Sequence, residues 1–120
     1  MENVGRQPRL LYGTLHGPGY SGSQGYGGTL LMDEPLADDF HVYAVDWSPE
    51  RIVWTVDGVT YHEATPADVA PAPWVYDHPF FLLLNLAVGG HFGQAVSTTT
   101  EFPASYLIDH VRVYQPAPAD

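Results

Sequence analysis

The chain has 120 residues, of which 45% are hydrophobic and 15% charged, a composition typical of one small globular domain and not of a disordered acidic tail. Four basic residues against 14 acidic ones give a formal charge of −10, which argues against a nucleic-acid-binding surface. The chain contains no cysteine, which excludes disulfides and thiolate metal sites, and we expect neither a signal peptide nor a membrane span.

The first part of the chain predicts two strands around a long loop. Residues 9–16 have a strand pattern, and residues 29–32 form a second short strand. Between them, residues 17–28 contain six glycines and one proline, so we expect a loop at the rim of a cleft. An acidic connection with a proline follows at residues 33–39.

The middle of the chain predicts a three-stranded meander. Residues 40–47 and 51–57 alternate between apolar and polar positions, and Ser-Pro-Glu separates them, which indicates a β-hairpin. The dipeptide Asp57-Gly58 favours a tight two-residue turn, because it supplies positive φ angles. A third strand then covers residues 59–63.

Beyond the meander we expect one helical turn and two more strands. Thr65, followed by proline and then by an acidic residue, is typical of a helix start. Residues 79–89 are apolar on both sides of a pleat, as in a strand buried between two layers, except at Asn85. Residues 106–114 alternate and predict a last strand.

Three tryptophans could pack in the core or offer aromatic faces to a ligand. Trp47 and Trp54 lie in strongly alternating strands, so we predict that both are core residues. For Trp74, which lies in a loop rich in alanine and proline, both alternatives stay open.

Six short stretches carry recognisable residue patterns in a fixed order: Met-Glu-Asn at 1–3, Gly-Thr-Leu-His-Gly-Pro at 13–18, Phe-His-Val-Tyr-Ala-Val-Asp-Trp at 40–47, Ile-Val-Trp-Thr-Val-Asp-Gly at 52–58, Pro-Phe-Phe-Leu-Leu-Leu-Asn-Leu-Ala-Val-Gly-Gly at 79–90 and Ile-Asp-His-Val-Arg-Val-Tyr at 108–114. Together they resemble glycoside hydrolase family 16, in particular its laminarinase-like endo-β-1,3-glucanases. The resemblance implies an all-β, concanavalin-like β-jelly-roll sandwich with a sugar-binding cleft across the concave sheet. It covers the C-terminal half of the family domain at residues 1–115, followed by a Pro/Ala tail at 116–120.

Glu2 is the candidate catalytic residue. Without the resemblance, it would be interpreted as a solvated terminal residue. The catalytic strand of the family has the pattern Glu-x-Asp-x-x-Glu, and the resemblance implies that Glu2 is its last member, the general acid/base, with a β-bulge at Met1. The nucleophilic Glu would lie five positions before Glu2, before this chain starts, so we expect the isolated chain to be inactive.

Four further residues are candidates for substrate binding. His16 alone would be a surface residue, but the resemblance implies that it faces the cleft beside the acid/base. Asn85 in an apolar strand either makes an internal hydrogen bond or faces a polar ligand, and the resemblance favours the ligand. His91 and Phe92 stand where relatives commonly have Asn-Trp, and Phe92 could stack on a sugar ring.

No cofactor is expected to be required. Asp109 resembles an acidic residue that helps to hold a structural Ca²⁺ in full-length relatives, but Ca²⁺ takes six to eight oxygen ligands. The other ligands would come from a region that precedes this chain, so we do not expect the chain alone to bind calcium.

The resemblance predicts hydrolysis of β-1,3- or mixed-linkage glucan by a retaining, two-carboxylate mechanism in the full-length protein. Two alternatives remain open: a non-catalytic, lectin-like β-sandwich that binds glucan, and a truncated gene product. The expected partner is β-glucan, with neither nucleic acid nor a membrane, and uncovered sheet edges would favour self-association. Relatives of this kind are secreted, because a glucan polymer cannot enter cells.

Overall fold

The computed structural model describes residues 1–117, and these form two compact units, the first over Met1–Leu83 and the second from Leu84 onward. The first unit contains two antiparallel sheets of three strands each. Its strands are β1 (Glu2–Val4), β2 (Gln7–Leu15), β3 (Tyr26–Leu31), β4 (Tyr43–Ser48), β5 (Arg51–Val56) and β6 (Val59–Ala64). Its helical turns are a 3₁₀ turn at Gly22–Gln24 and α1 at Pro66–Val69, and the second unit contains α2 at Gly90–Gly93.

The first sheet has the order β1-β2-β3. Glu2 pairs with Tyr12, and the β2–β3 register runs from Leu10 opposite Leu31 to Leu15 opposite Tyr26. The register between β1 and β2 shifts at Asn3/Val4. The described pairing starts at Glu2, so the bulge expected at Met1 stays a prediction. The loop predicted at 17–28 is shorter, because β3 already begins at Tyr26.

The second sheet has the order β4-β5-β6 and confirms the predicted meander. Ser48 pairs with Arg51, which leaves a two-residue loop between β4 and β5. Asp57 and Gly58 have φ angles of 50° and 79°, the left-handed values that a tight two-residue hairpin turn requires. Proline-led α1 has the predicted capping box, in which the backbone N–H of Thr65 donates to Asp68 at 2.7 Å.

The core lies between the two sheets and is built mainly by β2 and β5. Leu15 packs with Ile52 and Trp54 in one cluster, and Leu11 packs with Val56 in a second. Trp54 is 3% exposed, as predicted for a core residue. Leu11, Gly13 and Leu15 are all buried, whereas the residues between them in β2 are not, so β2 presents one face to the core and the other outward.

Trp47 is not a core residue, and the prediction for it is wrong. It is 45% exposed, as is much of β4, although Tyr43, Val45 and Trp47 pair with the buried residues Val56, Trp54 and Ile52. Directly paired residues share a sheet face. Tyr43, Val45 and Trp47 therefore lie on the core-facing side of the sheet, but other residues cover them only in part. Trp74 is half-buried, and its indole N–H donates to the carbonyl of Pro49 at 2.6 Å.

The strands predicted at residues 79–89 and 106–114 do not form among the described residues. Phe81 and Leu83 are 82% and 80% exposed, and Val113 is 80% exposed. A strand needs a hydrogen-bonded neighbour as well as an apolar pattern, and no described segment forms a ladder with either stretch.

Residues 118–120 of the tail predicted at 116–120 lie outside the described residues. None of the helices within residues 1–117 has the length and apolarity needed to span a membrane.

Asp57 ties the β5–β6 turn to the segment that leads into β4. Its carboxylate accepts hydrogen bonds from His41 Nδ1 at 2.7 Å and from the backbone N–H of Val42 at 2.8 Å, and the first of these is the main reason that its pKa is lowered. We expect Asp57→Ala to lower the free energy of unfolding by about 1 kcal/mol, as for a lost hydrogen bond. Urea unfolding followed by tryptophan fluorescence measures this. Asp57→Asn, which tolerates the positive φ, should cost less, and equal losses would contradict this account.

We expect His62 to make the stability of the first unit dependent on pH. Its ring stacks on Trp54 at 4.8 Å, and its Nε2 is buried without a hydrogen-bond partner among the described residues. Burial lowers its pKa below 6.5, although the charge of Asp68 partly opposes this. Because the unfolded chain binds this proton more readily, stability should be complete above pH 6.5 and should fall as the pH decreases. His62→Phe keeps the stacked ring, so its urea midpoint should change less between pH 8 and pH 5 than that of the wild type. Parallel changes would count against the assignment.

Candidate active site

Glu2 lies on the outward side of the first sheet. The outer face is defined here by the residues that β1, β2 and β3 direct away from the core, together with His16 directly after β2: Glu2, Leu10, Tyr12, Thr14, His16, Gly27, Thr29 and Leu31. Glu2 pairs directly with Tyr12, and Tyr12 pairs directly with Thr29, so these three side chains form one row across the sheet. Glu2 is exposed, and its carboxyl group is open to a ligand on this face.

The neighbouring residue Asn3 fixes the strand that carries Glu2. Its side-chain amide donates to the carbonyl of Leu10 at 2.8 Å and to that of Gln7 at 3.1 Å. These bonds satisfy backbone carbonyls of β2 at the point where the ladder becomes irregular. The short strand β1 is therefore attached to β2 by a side chain as well as by its own backbone.

His16 follows the last residue of β2 and is exposed at the end of the outer face. Its ring passes closely over Gly25. A Cβ atom at Gly25 would lie 2.8 Å from His16 Cε1, 2.9 Å from His16 Nδ1 and 2.6 Å from Thr14 Cγ2, all shorter than real Cβ contacts. Glycine at position 25 is therefore required for the observed placement of the imidazole ring.

Glu2 and His16 share a face but are not adjacent. His16 lies four residues beyond Tyr12, the partner of Glu2, which corresponds to roughly 13 Å along the strand. Tyr12 and Thr14 occupy the space between them on the outer face. Sequence reasoning did not single out these two residues. The alternation of residues 9–16 was the available signal, because it places positions 12, 14 and 16 on one face.

The three strands of this sheet contain a single carboxylate residue, Glu2. A carboxyl group of this kind can give a proton to a departing oxygen or take one from water. Retaining glycoside hydrolysis needs a second carboxylate about 5–5.5 Å away, which acts as nucleophile. The described strands of the first sheet supply one of these two groups.

A groove of about 850 Å³ lies in the first unit, along the edge of β3 and beside the segment that follows α1. Tyr20, Tyr26 and Asp68 contribute side chains to its wall, and Gly25 and Gly27 contribute backbone. Because Gly25 also lies under His16, the groove borders the end of the outer face. Its lining residues contain no Lys or Arg, so the groove suits a neutral ligand better than an anionic one.

The other three predicted binding residues lie in the second unit. Asn85 is exposed and is not in a strand. His91 and Phe92 are both part of the single helical turn α2, after Gly89 and Gly90 with φ angles of 72° and 85°. Phe92 is 40% exposed, so part of its ring is accessible to a ligand. Their role in binding stays a prediction.

Asp109 does not lie in a calcium-binding arrangement. Its carboxylate contacts Nδ1 of the next residue, His110, at 3.2 Å, and its side chain is 79% exposed. Within residues 1–117, no three side chains of His, Cys, Asp or Glu come together in a way that could hold a metal ion. The described residues therefore do not fit a Ca²⁺ site, which takes six to eight oxygens.

Comparison with known proteins identifies the fold and the family. The sequence profile of the glycosyl hydrolases family 16 matches residues 1–111. The chain is 40% identical to a beta-glucanase of Rhodothermus marinus and 39% identical to glucan endo-1,3-beta-glucosidase A1 of Niallia circulans, in each case over 96% of its length. It superposes on the X-ray structure of an endo-beta-1,3-glucanase from Pyrococcus furiosus with a TM-score of 0.79 at 44% identity, over 84% of the chain.

The chain spans 43% and 18% of the two relatives and 40% of the solved structure. Its two antiparallel sheets correspond to part of the β-jelly-roll sandwich of these proteins, as the sequence predicted. The match to the family profile covers nearly the whole chain, and the chain belongs to glycosyl hydrolase family 16.

Proposed function

We propose that this chain carries the acid/base part of a retaining β-glucanase site, with Glu2 as the general acid/base. The observation that carries the proposal is the β1–β2 register, which pairs the exposed Glu2 with Tyr12 on the outward side of the sheet. The similarity to endo-1,3-beta-glucanases over almost the whole chain supports β-1,3-glucan as substrate, with mixed-linkage glucan as a related possibility. Because such polymers do not cross membranes, the complete enzyme would act outside the cell.

In the complete enzyme, catalysis would proceed in two steps. Glu2 protonates the glycosidic oxygen while a second carboxylate attacks the anomeric carbon, so that the glycosidic bond breaks and a glycosyl-enzyme forms. The Glu2 carboxylate then takes a proton from water, whose oxygen attacks the same carbon; the bond to the second carboxylate breaks, and the sugar is released with retained anomeric configuration. Glu2 is exposed, as this role requires of a group that meets both the sugar oxygen and the water.

Binding without hydrolysis is the second candidate function for the isolated chain. The single carboxylate in the three strands of the first sheet favours it, because a lone carboxyl group can hydrogen-bond a sugar but cannot also form the covalent intermediate. On the outer face, Tyr12 offers an aromatic side chain, and Thr14 and His16 offer hydrogen-bonding groups. The exposed residues Asn85 and His91 and the aromatic ring of Phe92 are proposed to contribute further sugar contacts.

We expect the purified chain to release no more reducing sugar from laminarin than a buffer control does, because the three strands of the first sheet contain one carboxylate and the retaining mechanism needs two. A reducing-end assay after prolonged incubation measures this. Glu2→Gln and the matched control Glu63→Gln, which changes an exposed carboxylate paired with Arg51 in the other sheet, should be equally inactive. Activity that Glu2→Gln abolishes and Glu63→Gln preserves would show that the chain holds a complete catalytic pair.

We expect the chain to bind laminari-oligosaccharides and His16→Ala to weaken this binding about three- to tenfold, the effect of one net hydrogen bond. Gly25→Ala should act in the same direction, because its methyl group would displace the His16 ring. Isothermal titration calorimetry measures both. Gly5→Ala is the matched control, since a Cβ there meets nothing within 4 Å. Equal affinities of the Gly25 and Gly5 variants would remove His16 from the binding site.

A further inference from the structure

The backbone of His16 is held by a residue far away in the sequence. The hydroxyl group of Tyr76 donates a hydrogen bond to the carbonyl oxygen of His16 at 2.7 Å, across 60 positions of the chain. His16 comes directly after the last residue of β2, so this side-chain hydrogen bond holds the backbone where the strand ladder stops. Tyr76 is 9% exposed, and its hydroxyl therefore approaches His16 from the interior.

Tyr76 is itself fixed on several sides. Its backbone carbonyl accepts a hydrogen bond from the indole N–H of Trp47 at 2.6 Å. Its ring packs edge-on against Trp74 at 4.9 Å and stacks with Phe80 at 6.0 Å. Burial raises the pKa of Tyr76, so its hydroxyl stays protonated and remains a donor. These contacts fix the position of Tyr76, and Tyr76 can therefore fix the position of the carbonyl oxygen to which it donates.

His16 is thus contacted at two points, its carbonyl oxygen and its ring. The Tyr76 hydroxyl fixes its carbonyl oxygen, and the backbone of Gly25 passes closely under its ring. With the main chain anchored and Gly25 close to one side of the imidazole, we expect fewer ring orientations to be open to the side chain. An exposed histidine at the end of a strand would otherwise lose rotamer freedom only on binding, and that loss reduces affinity.

We propose that Tyr76 is a positioning residue for substrate recognition, which presets the His16 side chain for contact with a glucan by anchoring the His16 carbonyl. The inference rests on the proposed function, because it assumes that His16 contacts the sugar. Tyr76 itself is buried and acts only through His16.

A double-mutant cycle with a laminari-oligosaccharide separates this role from general stabilisation. Tyr76→Phe removes the hydroxyl and keeps the packed ring. We expect it to weaken binding about three- to tenfold in the wild-type chain. In the His16→Ala background it should change the affinity by less than about twofold, because residues that act through one contact are not additive.

The control is Asp57→Ala, which loses the hydrogen bonds to His41 and Val42 at the β5–β6 turn and should leave the affinity unchanged. All titrations are made at a temperature at which circular dichroism shows each variant to be folded. If Tyr76→Phe does not fold, Trp47→Phe replaces it, since it removes the bond to the Tyr76 carbonyl and should give a smaller loss that also disappears in the His16→Ala background.

The outcomes distinguish the inference from the function on which it rests. A loss of affinity on Tyr76→Phe that persists in the His16→Ala background would mean that Tyr76 acts on the whole fold, and would overturn the inference. The inference would also be overturned if His16→Ala weakens binding and Tyr76→Phe does not. The proposed binding function would then still stand. If the wild-type chain binds no glucan, the proposed binding function fails, and the role of Tyr76 in recognition fails with it.

Discussion

The packing of β2 against β5 is the contact on which the rest of the first unit depends. Leu15 packs with Ile52 and Trp54 between the two sheets, and the neighbouring cluster joins Leu11 to Val56. Because a strand alternates its side chains, burial of one side of β2 directs the other side outward. The same hydrophobic contact therefore holds the sheets together and creates the face on which Glu2 and His16 lie.

Local pattern predicted the parts of the fold that need only neighbours in sequence. The meander, the turn at Asp57-Gly58 and the helix start at Thr65 were all predicted, because alternation, turn propensity and capping are short-range properties. The strands expected at residues 79–89 and 106–114 were not found in the described structure. The patterns of these two stretches indicate which faces of a strand would be apolar, but they contain no information on the segment that would pair with that strand. The exposure of Trp47 has a similar origin, since burial of β4 depends on what covers it.

The candidate site divides in the same way between local and distant information. Glu2 and His16 could be named from short motifs, and the alternation of β2 also marks Tyr12 and Thr14 as residues of the same face. Tyr76 could not be found from sequence, because its hydroxyl meets His16 across 60 positions and no local pattern predicts that contact. Gly25 is an intermediate case. The sequence marks its loop as glycine-rich, but it does not show that the His16 ring lies over Gly25 and leaves no room for a Cβ atom there.

The partial exposure of β4 makes local stability uneven across the second sheet. Tyr43, Val45 and Trp47 lie on the core-facing side but remain 39–47% exposed, whereas the β5 residues opposite them are almost fully buried. Opening of β4 would therefore remove little apolar area from the core, while opening of β5 would expose Trp54. Amide protons of β4 can accordingly exchange with solvent through a small local opening, and those of β5 require a much larger one. Protection in the second sheet thus increases from the edge strand β4 to the central strand β5, and β5 is the strand that packs behind the outer face.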